Sequence, residues 1–106
     1  MGLEKLNAVS FEEAIYDDGA NCLVAFSRKN CHVCQEVIPL IEELSTKYQD
    51  QYGFYLVDVE DEKDLYNRFP LKGVPSVLFF KDGSYKGKIA GKFDEEQIEE
   101  MIEKMI

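Results

Sequence analysis

The sequence predicts an α/β domain: a mixed central β-sheet flanked by helices on both faces. Three observations carry that reading. Short apolar, strand-like runs alternate with amphipathic helical stretches in the order β-α-β-α-β-α-β-β-α. The early strands are separated by helical stretches, as parallel crossovers require, and the last two by a hairpin, so the sheet is mixed. The 106 residues, 45% of them hydrophobic, suffice for one core and contain no linker, repeat or low-complexity tract. Residues 1–106 are therefore read as a single domain.

Leu3 to Val9 is read as a short first strand. Ser10 then serves as a helix N-cap, Glu13 completes a capping box, and Phe11, Ala14 and Ile15 form the apolar stripe. This helix ends near Asp17-Asp18-Gly19, where Gly19 suits a left-handed C-terminal position. Cys22-Leu23-Val24-Ala25-Phe26 is a continuous apolar run, the pattern of a strand buried on both faces. The second helix, Val33 to about Tyr48, carries Val33, Val37, Leu40, Ile41, Leu44 and Tyr48 at helical spacing, with Pro39 inside it as a cause of kinking.

Phe54 to Val59 is a further strand, and Asp61 to Phe69 a short helix with Leu65 and Phe69 inward. Ser76 to Phe80 and Tyr85 to Ala90 are strands joined through Lys81-Asp82-Gly83-Ser84, where Asp-Gly signals a hairpin. Asp94 caps the last helix, whose Ile98, Met101, Ile102 and Met105 recur at i, i+3, i+4 and i+7. Its other face holds Glu95, Glu96, Glu99, Glu100 and Glu103, a solvated surface in the simplest reading and a partner site in the alternative.

Twelve basic against 21 acidic residues leave a net charge of −9, which argues against nucleic-acid binding, since that needs a basic footprint. No apolar run approaches the ~20 residues of a membrane span. Met1-Gly2-Leu3-Glu4-Lys5 lacks the apolar core of a signal peptide, and Leu6 stands where a myristoylation motif wants a hydroxyl residue. The expected compartment is the cytoplasm, with thiols mostly reduced, and the default state is a monomer.

In that setting three cysteines are not a disulfide framework. Cys31 and Cys34 stand at the junction between an apolar strand and a long helix, a site for thiol–disulfide exchange. Free N–H groups and the positive end of the helix dipole stabilise a thiolate at Cys31. The i, i+3 spacing puts Cys34 on the same face, within disulfide reach. Arg28 and Lys29 add positive field, and His32 contributes when protonated, so it is a candidate for tuning the pair; plain exposure is the alternative. In this scheme Cys31 attacks a substrate disulfide and Cys34 resolves the mixed disulfide.

The competing readings are two ordinary cysteines or a metal site. Tetrahedral zinc wants four ligands, and the only other Cys or His residues are Cys22 and His32, so no metal is expected. Cys22 reads as a small core residue rather than a further redox centre. Val74-Pro75 forms a second constellation, a turn feeding directly into a strand. Local sequence leaves the isomer of Pro75 open.

Taken together, these residues resemble the thioredoxin family over nearly the whole chain. The resemblance rests on Leu23-Val24-Ala25-Phe26, Cys31-His32-Val33-Cys34, Pro39, Val57-Asp58-Val59, Phe69 to Ser76, Phe79-Phe80-Lys81-Asp82-Gly83 and Gly91. It implies a thioredoxin fold with the dithiol at the start of the second helix. It implies a cis Pro75 beside the dithiol, and a Val74 backbone that pairs with an extended substrate segment. The activity implied is reduction of protein disulfides, with Cys31 as nucleophile and Cys34 as resolving thiol. No cofactor is called for; the implied electron donor is a flavoprotein thioredoxin reductase, with glutathione as the alternative.

The departures are substantial. The chain has no tryptophan, and the family's two usual positions fall on Ser27 and Asn30. The family's buried acid falls on Ala25, and the lysine that tunes it on Leu56. A slower reductase is therefore expected, with a potential less negative than that of a Gly-Pro dithiol. The alternative is a redox-sensing or adaptor protein that binds partners at the Val74-Pro75 groove with little turnover.

Overall fold

The computed structural model describes residues 3–106. Five strands form one sheet in the order β1-β3-β2-β4-β5: β1 Glu4–Lys5, β2 Cys22–Ser27, β3 Gly53–Asp58, β4 Ser76–Lys81 and β5 Ser84–Ala90. The three on one side, β1, β3 and β2, run parallel; β4 is antiparallel to β2, and β5 to β4. This is the mixed sheet that the alternation and the Asp-Gly hairpin call for. Asp82 and Gly83 both have positive φ (52° and 78°), the geometry of a two-residue type I′ turn. A Cβ on Gly83 would also lie 2.5 Å from the Ile15 carbonyl oxygen, so the hairpin tip fits against the first helix only as glycine.

Side-chain alternation along β2 builds both halves of the core. Leu23 and Ala25 face α2 (His32–Lys47) and α4 (Glu95–Met105), meeting Val37, Ile41, Ile98 and Ile102. Cys22, Val24 and Phe26 face α1 (Ala8–Glu12), the π-helical turn Glu13–Asp17 that continues it, and α3 (Lys63–Asn67), meeting Phe11, Ile15 and Leu65. Every residue of β2 is buried, as a central strand covered on both faces requires. Fully buried Phe11 makes edge-to-face contacts with Phe69 and Phe80 at 5.8 and 6.0 Å.

Two boundaries differ from the sequence reading. The first strand is only Glu4–Lys5, because Asn7 rather than Ser10 caps α1. The Asn7 side chain accepts the Ser10 N–H at 2.9 Å, and the Ser10 hydroxyl accepts the Asn7 N–H at 2.9 Å. Asn and Ser are equally good caps, so the pair satisfies two free donors with Ser10 inside the helix and leaves Glu13 no capping role. The helix expected over Asp61 to Phe69 is shorter, Lys63–Asn67, and Phe69 packs from the following turn. Helix α2 runs unbroken through Pro39. Among the described residues no helix is long and apolar enough to cross a membrane.

Candidate active site

Strand β2 ends at Ser27, and Arg28, Lys29 and Asn30 carry the chain to Cys31, the N-cap of α2. Cys31 has extended dihedrals (φ −121°, ψ 111°), which aims its sulfur back over the first helical turn. There the Cys34 N–H donates to Cys31 Sγ at 3.2 Å. The sulfur thus takes the place an Asp or Ser oxygen has in ordinary capping, and it meets one of the free N–H groups at the positive end of the helix. The Cys31 and Cys34 α-carbons are 5.1 Å apart, and the two residues form a disulfide. Cys31 is the more accessible of the two, at 7% against 3% exposed.

The Val74 carbonyl oxygen lies 3.9 Å from Cys31 Sγ, so a turn distant in sequence forms the other wall of the site. The Val74–Pro75 peptide is cis. The Ser76 hydroxyl donates to the Gly73 carbonyl at 2.7 Å, and the Gly91 N–H donates to the Pro75 carbonyl at 3.0 Å. These bonds fix the turn from within and tie it to the end of β5.

A cleft opens on each side of the disulfide. One, of about 310 Å³, is lined by Ser27, Arg28, Lys29, Cys34, Gln35, Ile38 and Pro39. The other, of about 450 Å³, is lined by Lys72, Gly73, Val74, Pro75, Ser76, Lys88, Ala90 and Gly91. The fold therefore brings Cys31, Cys34, Val74 and Pro75 together and leaves His32 aside. The His32 side chain is 87% exposed, its Nε2 lying 3.6 Å from Glu36, which Lys92 approaches from the other side at 3.6 Å.

Ala25, fully buried, belongs to an apolar cluster against which Leu56 packs. The interior flanking the dithiol is hydrocarbon at both positions. Cys22 lies at the other end of β2, fully buried, and burial pushes its thiol up to about 12. Two lining residues, Lys72 and Lys88, escape the sequence reading. Lys88 joins the cleft because it pairs with Leu78, below a register shift between Phe79 and Phe80 that a linear pattern does not reveal.

Comparison with known proteins agrees with this geometry. The Thioredoxin family model matches residues 2–104. Thioredoxin from Staphylococcus saprophyticus is 30% identical over 104 residues, covering 98% of both chains. The chloroplastic M-type thioredoxin of Pisum sativum is 26% identical over 98% of this chain. The chain spans only about half to three-fifths of the length of that protein and two other chloroplastic relatives (60%, 52% and 58%). Among solved structures, thioredoxin from Malassezia sympodialis superposes with a TM-score of 0.85 at 22% identity, covering 98% of this chain and 90% of that one. A mutant thioredoxin from Halobacterium salinarum gives 0.86 at 23%, with the same coverage. At such identities the superpositions speak for the fold. The family match over almost every residue, the full-length relative and a disulfide-capable pair at the start of α2 agree on one assignment: this chain belongs to the thioredoxin family.

Proposed function

We propose that the protein is a thiol–disulfide oxidoreductase that reduces protein disulfides through Cys31 and Cys34. The observation that carries this reading is the Cys31–Cys34 disulfide on the first turn of α2, its outer sulfur held by the Cys34 N–H and facing Val74. In the reduced protein the Cys31 thiolate attacks one sulfur of a substrate disulfide. The substrate S–S bond breaks, its far sulfur leaves as a thiolate that takes up a proton, and a mixed disulfide forms. Cys34 loses its proton and attacks Cys31 Sγ, releasing the second substrate sulfur as a thiolate. Two electrons have then passed to the substrate, and a flavoprotein thioredoxin reductase or glutathione returns them. Val74 and Pro75 take the substrate backbone in extended form, and His32, exposed beside Glu36, adds positive field to the pair only when protonated.

The position of the family's buried acid, which would receive the Cys34 proton, is filled by Ala25. The cleft lined by Ser27 and Cys34 offers water instead. A solvent route is slower than a positioned base, which typically contributes ~10²–10⁴-fold, so turnover is below that of a thioredoxin with the acid. The apolar filling of Ala25 and Leu56 also favours a second reading, an adaptor that holds partners at Val74-Pro75 with little turnover. One experiment separates the two. The Cys34→Ser protein, mixed with a disulfide-containing protein substrate, traps a covalent complex that dithiothreitol dissolves if the enzyme reading holds. Complexes that persist unchanged in reductant, with no turnover by the wild type, support the adaptor.

A further inference from the structure

Charge is distributed unevenly around the disulfide. The chain carries −9 overall, and its clefts at residues 58–64 are lined largely by Asp58, Glu60, Asp61, Glu62 and Asp64. The cleft beside Pro75 is the reverse. Its only charged lining residues are Lys72 and Lys88, both exposed, and neither lies within ion-pair distance of a carboxylate among the described residues. Lys88 donates instead to the Pro70 carbonyl at 3.3 Å, which holds its ammonium at the cleft wall. Lysines on an edge strand also guard a sheet against pairing with another chain. That accounts for Lys86 and Lys88, both on β5, but not for Lys72, which precedes β4 in a turn and lines the same cleft as Lys88.

Resting on the oxidoreductase reading above, we propose that this cleft takes an extended, disulfide-bearing segment of a partner protein with Asp or Glu beside its cystine. Val74 is the common element: its carbonyl faces Cys31, and its cleft is lined by the two lysines that have no carboxylate partner among the described residues. A segment lying along Val74 with its cystine at Cys31 brings neighbouring side chains over Lys72 and Lys88. The net negative charge acts from farther away and is screened beyond roughly 8 Å at physiological salt, whereas the two lysines act at contact. A Lys-flanked segment meets like charge in the cleft and is disfavoured.

Two synthetic cystine peptides, identical except for Glu or Lys flanks, test this, together with Ser-for-Cys versions that bind but cannot react. The Glu-flanked peptide is reduced with kcat/KM roughly three- to tenfold above the Lys-flanked one, the scale of two exposed charge pairs. Lys72→Glu with Lys88→Glu abolishes or inverts that preference. The same reversal at Lys5 and Lys63, which line the acidic clefts, leaves it intact and controls for net charge. Equal kcat/KM for the two peptides, or a preference unmoved by the cleft reversal, overturns the proposal. The unreactive peptides, titrated by NMR into oxidised protein, separate its failure from that of the oxidoreductase reading. Glu-selective shifts at residues 72–76 and 88–91 without turnover of either cystine peptide support the docking and sink the reductase. Shifts elsewhere, or none that depend on charge, sink the docking whatever the turnover. Shifts there that grow with protein concentration alone would assign the cleft to the acidic face of a second copy and overturn the partner assignment.

Discussion

Cys22 and Cys31 stand at the two ends of one structural unit, and the contrast shows how position decides what a thiol can do. Cys22 begins β2, with Gly53 beside it on one neighbouring strand and Phe80 on the other. Nothing there stabilises a negative charge, and burial keeps its proton on to about 12. Cys31 lies past the other end of β2, where the chain turns into α2 and leaves N–H groups unpaired. There a sulfur is held by a backbone N–H and bonded to Cys34, which lines one cleft, while Val74, which lines another, faces it. The strand buries one thiol, and the helix start gives the other a backbone N–H and a partner sulfur.

The largest expected effect comes from exchanging their fates. Cys31→Ser lowers disulfide reduction to the detection limit, whereas Cys22→Ala leaves kcat/KM within about twofold and costs about 1 kcal/mol of stability. Peptide-disulfide turnover and denaturant unfolding of both variants check this. Loss of turnover in Cys22→Ala would erase the distinction between the two thiols.

Ala25→Asp places a carboxylate between the two regions, and its effects on rate and stability are opposed. The resolving step accelerates, as the decay of the mixed disulfide in rapid-quench experiments measures. Stability falls by about 3 kcal/mol, because the interior around Ala25 and Leu56 gives the carboxylate no cation. An unchanged decay rate in a folded Ala25→Asp protein rules out the missing acid as a limit on the resolving step.

Gly53→Ala probes the wall against Cys22. The new Cβ would stand 3.0 Å from Cys22 Cβ and 3.1 Å from the Tyr55 ring, so these two side chains must give by a few tenths of an ångström. The expected cost is about 1–3 kcal/mol, with the potential of the Cys31–Cys34 couple unchanged. The smallest effect is invisible at neutral pH. Burial raises the Cys22 thiol in the folded state, and burial likewise raises the Tyr52 phenol, so the unfolded chain releases these protons first. Stability is full below about pH 9 and falls as pH rises toward 12, by at most about 1.4 kcal/mol per pH unit for each group. Cys22→Ala flattens part of that slope in urea titrations from pH 8 to 11.

Much of this was legible in the chain because the relevant physics is local. An apolar run followed by Cys31, Cys34 and a helical stripe specifies a strand, a capped helix and two sulfurs on one face. Asp82-Gly83 specifies a tight hairpin. The start of α1 was not legible, because Asn7 and Ser10 are both good caps and only the folded pair shows which one leads. Nor was the basic cleft. Lys72 and Lys88 are brought together by strand register and a shift at Phe79–Phe80, which are properties of the assembled sheet rather than of any segment. That Pro75 lies beside the dithiol was implied only by the family resemblance, and that the Val74 carbonyl faces Cys31 shows only in the fold, since no spacing rule links residues 43 apart.

The most direct test of the central claim is the redox equilibrium of the Cys31–Cys34 couple, measured in glutathione buffers of graded potential with alkylation of free thiols. The account predicts one two-electron transition confined to this pair, at a potential less negative than about −270 mV, with Cys22 a free thiol throughout and unalkylated in the folded protein. A pair that stays reduced at every potential, or a transition that consumes Cys22, would contradict it.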